Sequence, residues 1–268
     1  MLPLEGQRSG DSRKLGGPFM TRVAVLRLSV IAAGFALLEL LCRTGIIPAF
    51  TFPPPSSIVV SALNILASGR YASDMQVTLG NVAASIASAM IVGIVVAIVV
   101  HALPAVRRVL EPLFGTYYAI PMFAFYPLLI VLFGLGNLPQ VAIGFLLGVM
   151  AVVINTLNGL DRVPHVFDKV AHVLRLDPTA AAWRIRLPYA SPYVFTGFKL
   201  AVAYSFVGVI GAEFITSSKG VGYQIAFAYN NFDNNTMYAL IALVLTIVIA
   251  VNMMLHAWER RLLARRQR

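Results

Sequence analysis

The sequence predicts an all-α membrane protein with six transmembrane helices, and three observations predict it. Hydrophobic residues make up 59% of the 268 and charged residues only 12%, a balance outside the range of water-soluble domains. No Asp, Glu, Lys or Arg occurs in residues 75–100, 112–160 or 234–258. Lipid offers no partner to backbone N–H and C=O groups, so a span must be a helix of roughly 20 apolar residues that satisfies them internally. The positive charges, finally, are segregated along the chain in the way that spans with alternating loops require.

Residues 1–22 read as a cytoplasmic tail whose first 20 residues are polar, Gly-rich and disordered, and Met20 is an alternative start. Helix 1, over 23–41, has a basic front and a long apolar body without a small-x-small cleavage site, as in an uncleaved signal anchor. The bulky Leu41 before Cys42 argues against lipid attachment, so Cys42 reads as a packed side chain. A single cysteine excludes an internal disulfide and a cysteine-based metal site. Adjoining prolines make 48–57 stiff and extended. Ile58, Val59, Leu63, Ile65 and Leu66 then mark a short helix over 57–69, at the outer membrane surface. Helix 2 covers 78–100.

The uncharged run 112–160 is too long for one span, and Gly134-Leu135-Gly136-Asn137-Leu138-Pro139 breaks it with turn chemistry. It reads as a hairpin of helix 3 (115–133) and helix 4 (139–158). Pro121 and Pro127 fall inside helix 3, where each removes a backbone hydrogen bond. Helix 5 covers 193–214 and helix 6 covers 237–256. The membrane body thus spans 23–258, with a polar segment at 161–192, and 259–268 form a basic tail.

With the N-terminus inside, 18 of the 21 Lys and Arg residues fall on the cytoplasmic side, and only Arg43, Arg70 and Lys219 fall outside. Both termini are therefore expected in the cytoplasm. The net charge of +10 follows from topology and anionic lipid headgroups, and charges dispersed among loops do not make a nucleic-acid surface.

Soluble catalytic machinery is missing. There is no G-x-x-x-x-G-K-[ST] for a nucleotide, no H-E-x-x-H for zinc and no G-x-S-x-G nucleophile. His101, His165, His172 and His256 lie near helix ends or in the polar segment, without ligand spacing. No cofactor and no intrinsic enzyme activity are expected.

Pro121, Phe123, Phe125, Pro127, Tyr204 and Glu213 are compatible with a path or gate through the membrane. Phe123, Phe125 and Tyr126 either narrow a passage or pack against neighbours. Glu213, near the outer end of helix 5, is a carboxylate at or in the membrane. It either serves function or snorkels to water, and Lys199 at the inner end snorkels in the same way.

The segment 161–188 carries Lys169-Val170-Ala171, three residues, Arg175, nine residues, then Ile185-Arg186-Leu187-Pro188. Val170, Ala171, Val173 and Leu174 give a short helix one face that fits a partner's groove. Asp177-Pro178 supplies an N-cap and a first-turn proline, so the chain break falls two residues after Arg175. Taken alone, the segment reads equally as a solvated basic connector.

The spacing resembles the coupling pattern of importer permeases driven by separate ATPases: Glu-Ala-Ala, three residues, Gly, nine residues, Ile-x-Leu-Pro. Ala171, Ile185, Leu187 and Pro188 match, whereas Lys169, Val170 and Arg175 replace Glu, Ala and Gly. The resemblance extends through Leu37-Leu38-Glu39-Leu40, Pro53-Pro54-Pro55-Ser56, Thr78-Leu79-Gly80-Asn81, Glu111-Pro112-Leu113 and Tyr126-Pro127-Leu128-Leu129. It continues through Leu187-Pro188-Tyr189, Ala212-Glu213-Phe214 and Gly220-Val221-Gly222-Tyr223, and covers residues 23–263. The chain is similar to ATP-binding cassette permeases that import nitrate, sulfonates, taurine and related small compounds in the bacterial inner membrane.

That resemblance implies the importer-permease (MetI-like) fold. It also implies a homodimer with a second permease copy, two cytoplasmic ATPase subunits and a solute-binding protein. The ATPase contact would fall on Lys169, Val170, Ala171, Leu174, Arg175, Ile185, Leu187 and Pro188. The alternative is a self-contained secondary transporter or channel, which requires ionisable residues deep in the spans and an inverted repeat. A membrane-embedded enzyme would need a clustered catalytic set. The residues 226–233, with aromatic and amide groups, read as an outer polar loop.

Overall fold

The computed structural model describes residues 18–48 and 50–266. Of the 20 residues expected to be disordered, 1–17 lie outside the described residues and 18–20 begin a helix instead. Among the described residues every regular element is helical. The elements are α1 (Pro18–Arg43), α2 (Pro55–Ser68), α3 (Ala72–Ala102), α4 (Pro104–Thr116), α5 (Tyr126–Phe133) and α6 (Asn137–Asp161). They continue as α7 (Val166–Val173), α8 (Pro178–Ala181), α9 (Leu187–Thr216), α10 (Val221–Asn230) and α11 (Asn234–Arg266).

Among the described residues five stretches are long and apolar enough to cross a membrane: Val25–Arg43, Ala72–Ala102, Asn137–Asp161, Ala182–Thr216 and Asn234–Arg261. A sixth, Pro104–Ala119 with Met122–Phe133, is bent by 89°. The third span is thus broken rather than continuous, which corrects the expectation of one helix over 115–133. Pro121 stands at the break, and Pro127 occupies the first turn of α5. A missing N–H at a helix start removes no bond, so Pro127 begins a helix instead of loosening one.

The residues fall into two compact units divided between Val60 and Ser61. The first contains α1 and the start of α2. Glu39 ties them locally: its Oε1 accepts from Arg43 Nε at 2.6 Å and Ser56 Oγ at 2.7 Å, and its Oε2 from the Ser56 N–H at 3.0 Å. Cys42 is buried. The expected extended stretch instead turns, with the N–H groups of Thr51 and Phe52 returning to Pro48 O, and helix α2 already begins at Pro55.

In the second unit α6 is central and packs most extensively on α9 and then on α3. Lipid tails are as apolar as Leu, so helices in a membrane associate where small residues let their backbones approach. Gly144 and Gly148 of α6 face α9 and α3, and a Cβ added at Gly208 of α9 would stand 2.8 Å from Gly144 Cα. Ala201, Ser205 and Ala212, each fully buried, continue the small face of α9. Val82, Val202, Phe206, Val209 and Leu255 join α3, α9 and α11. Large apolar side chains such as Ile91, Val95, Val207, Leu245 and Ile249 face outward, as lipid contact demands. The turn between α5 and α6 falls at the expected glycines, with Gly134 at φ 79° and Gly136 at φ 155°.

Candidate functional site

Helix α6 ends at Asp161, whose carboxylate accepts both Arg107 guanidinium donors at 2.5 and 2.6 Å, with His101 Nδ1 3.3 Å away. A bidentate pair of this kind fixes orientation as well as charge. It pins α4 and the end of α3 at the point where the polar segment leaves the bundle. Arg162 donates to the Tyr193 hydroxyl at 2.6 Å and lies over its ring. The Phe167–Tyr189 ring contact, with centroids 5.5 Å apart, then fastens α7 to α9.

Helix α7 leaves its apolar side open: Val170, Val173 and Leu174 are 43%, 80% and 60% exposed, while Ala171 is half-buried. The chain reverses at Arg175 itself, at φ 50°. The Leu176 N–H donates to Ala171 O and the Arg175 N–H to His172 O, both at 3.0 Å. These two bonds make a Schellman turn with Arg at the position that glycine usually takes. The expected displacement of the break by two residues does not occur. Asp177 caps the next helix, accepting the Ala181 N–H on its carbonyl at 2.9 Å.

The Ile185-x-Leu187-Pro188 half lies in a π-helical turn over Ala182–Arg186, where the Leu187 N–H reaches back to Ala182 O. Pro188 has no N–H for the carbonyl four residues earlier and its ring crowds that carbonyl, so the helix widens by one residue just before it. Ile185 and Leu187 are half-buried and Pro188 and Lys169 are exposed. The two halves of the spacing thus fall on α7 and on the wide turn that it touches.

At the opposite end of the bundle the structure brings together residues that the sequence scatters. Glu213 is fully buried, so it does not snorkel. Its Oε2 accepts the Thr78 hydroxyl at 2.8 Å and the Gly222 N–H at 3.0 Å, and its Oε1 accepts Asn81 Nδ2 at 3.4 Å. Thr78 Oγ1 accepts the Val221 N–H at 2.8 Å, and Asp74 accepts the Gly220 N–H at 2.8 Å and Gln224 Nε2 at 3.0 Å. Asn81 Nδ2 also donates to Gln140 Oε1 at 2.7 Å, and Gln140 Nε2 to Ser217 Oγ at 2.8 Å. The expected outer loop over 226–233 is largely helix α10, whose first N–H groups are what this cluster satisfies. Asp74, Thr78, Asn81 and Ser85 recur every three or four residues. That polar stripe on one face of α3 was the readable signal.

The path candidates separate. Pro121 and Pro127 are exposed, Phe125 is 42% exposed, and Tyr204 is half-buried beside Tyr118 with centroids 5.4 Å apart. Phe123 packs: a Cβ at Gly211 would lie 2.6 Å from its ring. Tyr126 is 1% exposed and donates to Thr216 O at 2.9 Å. Lys199 pairs with Glu259 at 2.7 Å, joining α9 to α11, rather than reaching water alone. Among the described residues no three His, Cys, Asp or Glu side chains converge as a metal site.

Comparison with known proteins gives a consistent account. The chain is 23% identical over 248 residues to the taurine transport system permease protein TauC of Escherichia coli, covering 91% of this chain and 90% of that protein. It is 28% identical over 175 residues to the nitrate import permease protein NrtB of Leptolyngbya laminosa, covering 65% and 63%. It is 32% identical over 166 residues to the bicarbonate transport system permease protein CmpB of Synechococcus elongatus, covering 61% and 60%. The chain spans less than two thirds of the last two relatives. The model of the binding-protein-dependent transport system inner membrane component matches residues 89–266, from the middle of α3 through α11. With that match over more than half its length, the chain belongs to the family of binding-protein-dependent transport system inner membrane components, the permease subunits of importers.

Proposed function

We propose that two copies of this permease form the transmembrane path of an ATP-driven importer, powered by two separate ATPase subunits and supplied by a solute-binding protein. The observation that carries the coupling role is α7, a short helix outside the spans with Val170, Val173 and Leu174 in the open. Its tether at Phe167–Tyr189 and its Schellman turn hold that face rigidly, which is how an amphipathic helix enters a partner's groove. Lys169, Val170, Ala171, Leu174 and Arg175 make the contact. Ile185, Leu187 and Pro188 pass its movement into α9.

The segregation of positive charge supports a topology with both termini and α7 in the cytoplasm. Residues 1–22 and 259–268 are then tails around the 23–258 permease body, with 161–192 as the coupling segment. The bent third span supports a path along Pro121, Phe125, Pro127 and Tyr204, with Phe123 and Glu213 behind it. Taurine, nitrate and bicarbonate, which the relatives' names give, share a small oxyanion group. A small oxyanion-bearing solute is accordingly the class assigned to this importer, and the binding protein sets the choice within it.

The test is Ala171→Arg, which puts a long charged side chain into the docking face. A central interface residue costs about 2 kcal/mol or more when disrupted, roughly a thirtyfold loss of association. Expression and membrane insertion should stay normal while copurification of the ATPase and uptake are lost. Normal uptake with normal copurification would reduce the segment to a solvated connector.

A further inference from the structure

Helix α10 is ten residues long, too short to cross a membrane, and it starts inside the protein rather than at its surface. Gly220, Val221 and Gly222 are buried, and a Cβ at Gly222 would run into Ile210 O and lie 2.7 Å from Glu213 Cβ. Helix N-termini leave their first N–H groups without intrahelical partners, and here the residues that carry them are buried. The fold answers with three side chains from two other helices: Asp74 takes the Gly220 N–H, Thr78 the Val221 N–H and Glu213 the Gly222 N–H. Every polar partner of the Glu213 carboxyl group donates to it: the Thr78 hydroxyl, the Asn81 amide and the Gly222 N–H. From Asn81 the chain of bonds runs through Gln140 to Ser217, whose hydroxyl donates to Lys219 O at 2.7 Å and so sets the loop leading into α10. One network therefore joins α3, α6, α9, the 217–220 loop and α10.

We infer that Glu213 is a positioning residue for transport: it locks the start of α10 to α3 and α9, so that α10 moves with the α3–α6–α9 core as one rigid body through the transport cycle. Two features make the lock directional. Both carboxylate oxygens accept, which an amide at this position cannot do. The two glycines of Gly220-Val221-Gly222 leave room only for this approach, since a Cβ at Gly220 would collide with the Glu213 carboxylate. The role in the cycle rests on the importer reading above, whereas the lock itself does not.

The polarity of the network supplies the test. Glu213→Gln sets an amide N–H₂ against Asn81 Nδ2, donor against donor, and turning the Asn81 amide over moves the conflict to Gln140 Oε1, acceptor against acceptor. Asn81→Asp alone sets two carboxylates together. Combining the two restores one donor facing one acceptor between positions 213 and 81, with the Gln140 amide turned over to donate to the new carboxylate and the single Ser217 hydroxyl proton moved from Lys219 O to Gln140 Oε1. The reporter is Ala228→Cys, a site on α10 that is 4% exposed in the native chain, in a Cys42→Ser background. Full-length protein in permeabilised membrane vesicles is titrated with a maleimide, so the result does not depend on sidedness.

Each single substitution is expected to raise the labelling rate at least tenfold, and the pair to return it to within about threefold of the parent. Uptake by the assembled importer should fall and recover in parallel. Should the singles insert poorly, Thr78→Val is expected to raise labelling and Thr78→Ser to restore protection. Labelling unchanged by Glu213→Gln or Thr78→Val, or a pair no better than the singles, overturns the lock. Labelling that responds as stated while uptake does not follow it overturns the positioning role and leaves the ATPase-coupling reading, tested at Ala171, untouched.

Discussion

Gly208→Ala tests whether backbone contact between α6 and α9 holds this fold together. The added Cβ would stand 2.8 Å from Gly144 Cα, 3.0 Å from Gly144 N and 3.1 Å from Leu147 Cδ1, where ordinary contact begins at 3.4 Å. Two of those three atoms are backbone and cannot rotate aside, so the helices must part by about 0.6 Å, the shortfall at Gly144 Cα. Helix α6 is held from the α3 side as well, because a Cβ at Gly144 would itself lie 2.6 Å from Ser85 Oγ. Overpacking of this kind costs about 1–3 kcal/mol. At roughly 2–4 °C per kcal/mol for a chain of this size, the midpoint falls by roughly 2–12 °C. Gly80→Ala is the matched control, since a Cβ there meets nothing within 4 Å and the residue is exposed on α3. Thermal unfolding of both variants in one detergent, followed by size-exclusion chromatography, measures the difference. A Gly208→Ala protein that melts with the native chain and the control would refute close backbone packing as the basis of the bundle.

Arg175→Gly should be tolerated or raise stability by up to about 1 kcal/mol, because a left-handed φ strains a side-chain-bearing residue but not glycine. Arg175→Val should instead lower the midpoint and weaken ATPase copurification, since β-branched residues fit that φ worst. In a Cys42-free background, Ser218→Cys should react with an impermeant thiol reagent from outside and Arg184→Cys only after permeabilisation, both positions being exposed. The reverse pattern overturns the proposed orientation. Purified alone in vesicles, the chain should neither hydrolyse ATP nor concentrate solute. Uptake driven by an ion gradient without an ATPase would point to a secondary transporter.

The spans themselves were legible because the bilayer imposes a one-dimensional constraint. A segment either carries enough consecutive apolar residues to satisfy its backbone within a helix or it does not, and the runs around α3, α6, α9 and α11 do. The turn at Gly134 and Gly136 was legible for a similarly local reason, since glycine there adopts a φ that other residues avoid. The polar segment 161–188 was legible as a spacing, but its geometry was not. Arg175 takes the left-handed turn because two carbonyl bonds from α7 reward it, and no propensity of arginine announces that.

The break at Pro121 and the true setting of Glu213 belong to the tertiary structure alone. A proline shows where a helix loses a bond, but whether it kinks, breaks or begins one depends on what the flanking turns pack against. For Glu213 the decisive partners, Thr78 and Asn81, lie 135 and 132 residues away in sequence. The sequence displays the carboxylate and, on α3, a polar stripe. Only the packing of α3, α9 and α10 brings donors to meet acceptors, because the satisfaction of a buried polar group is decided by neighbours in space.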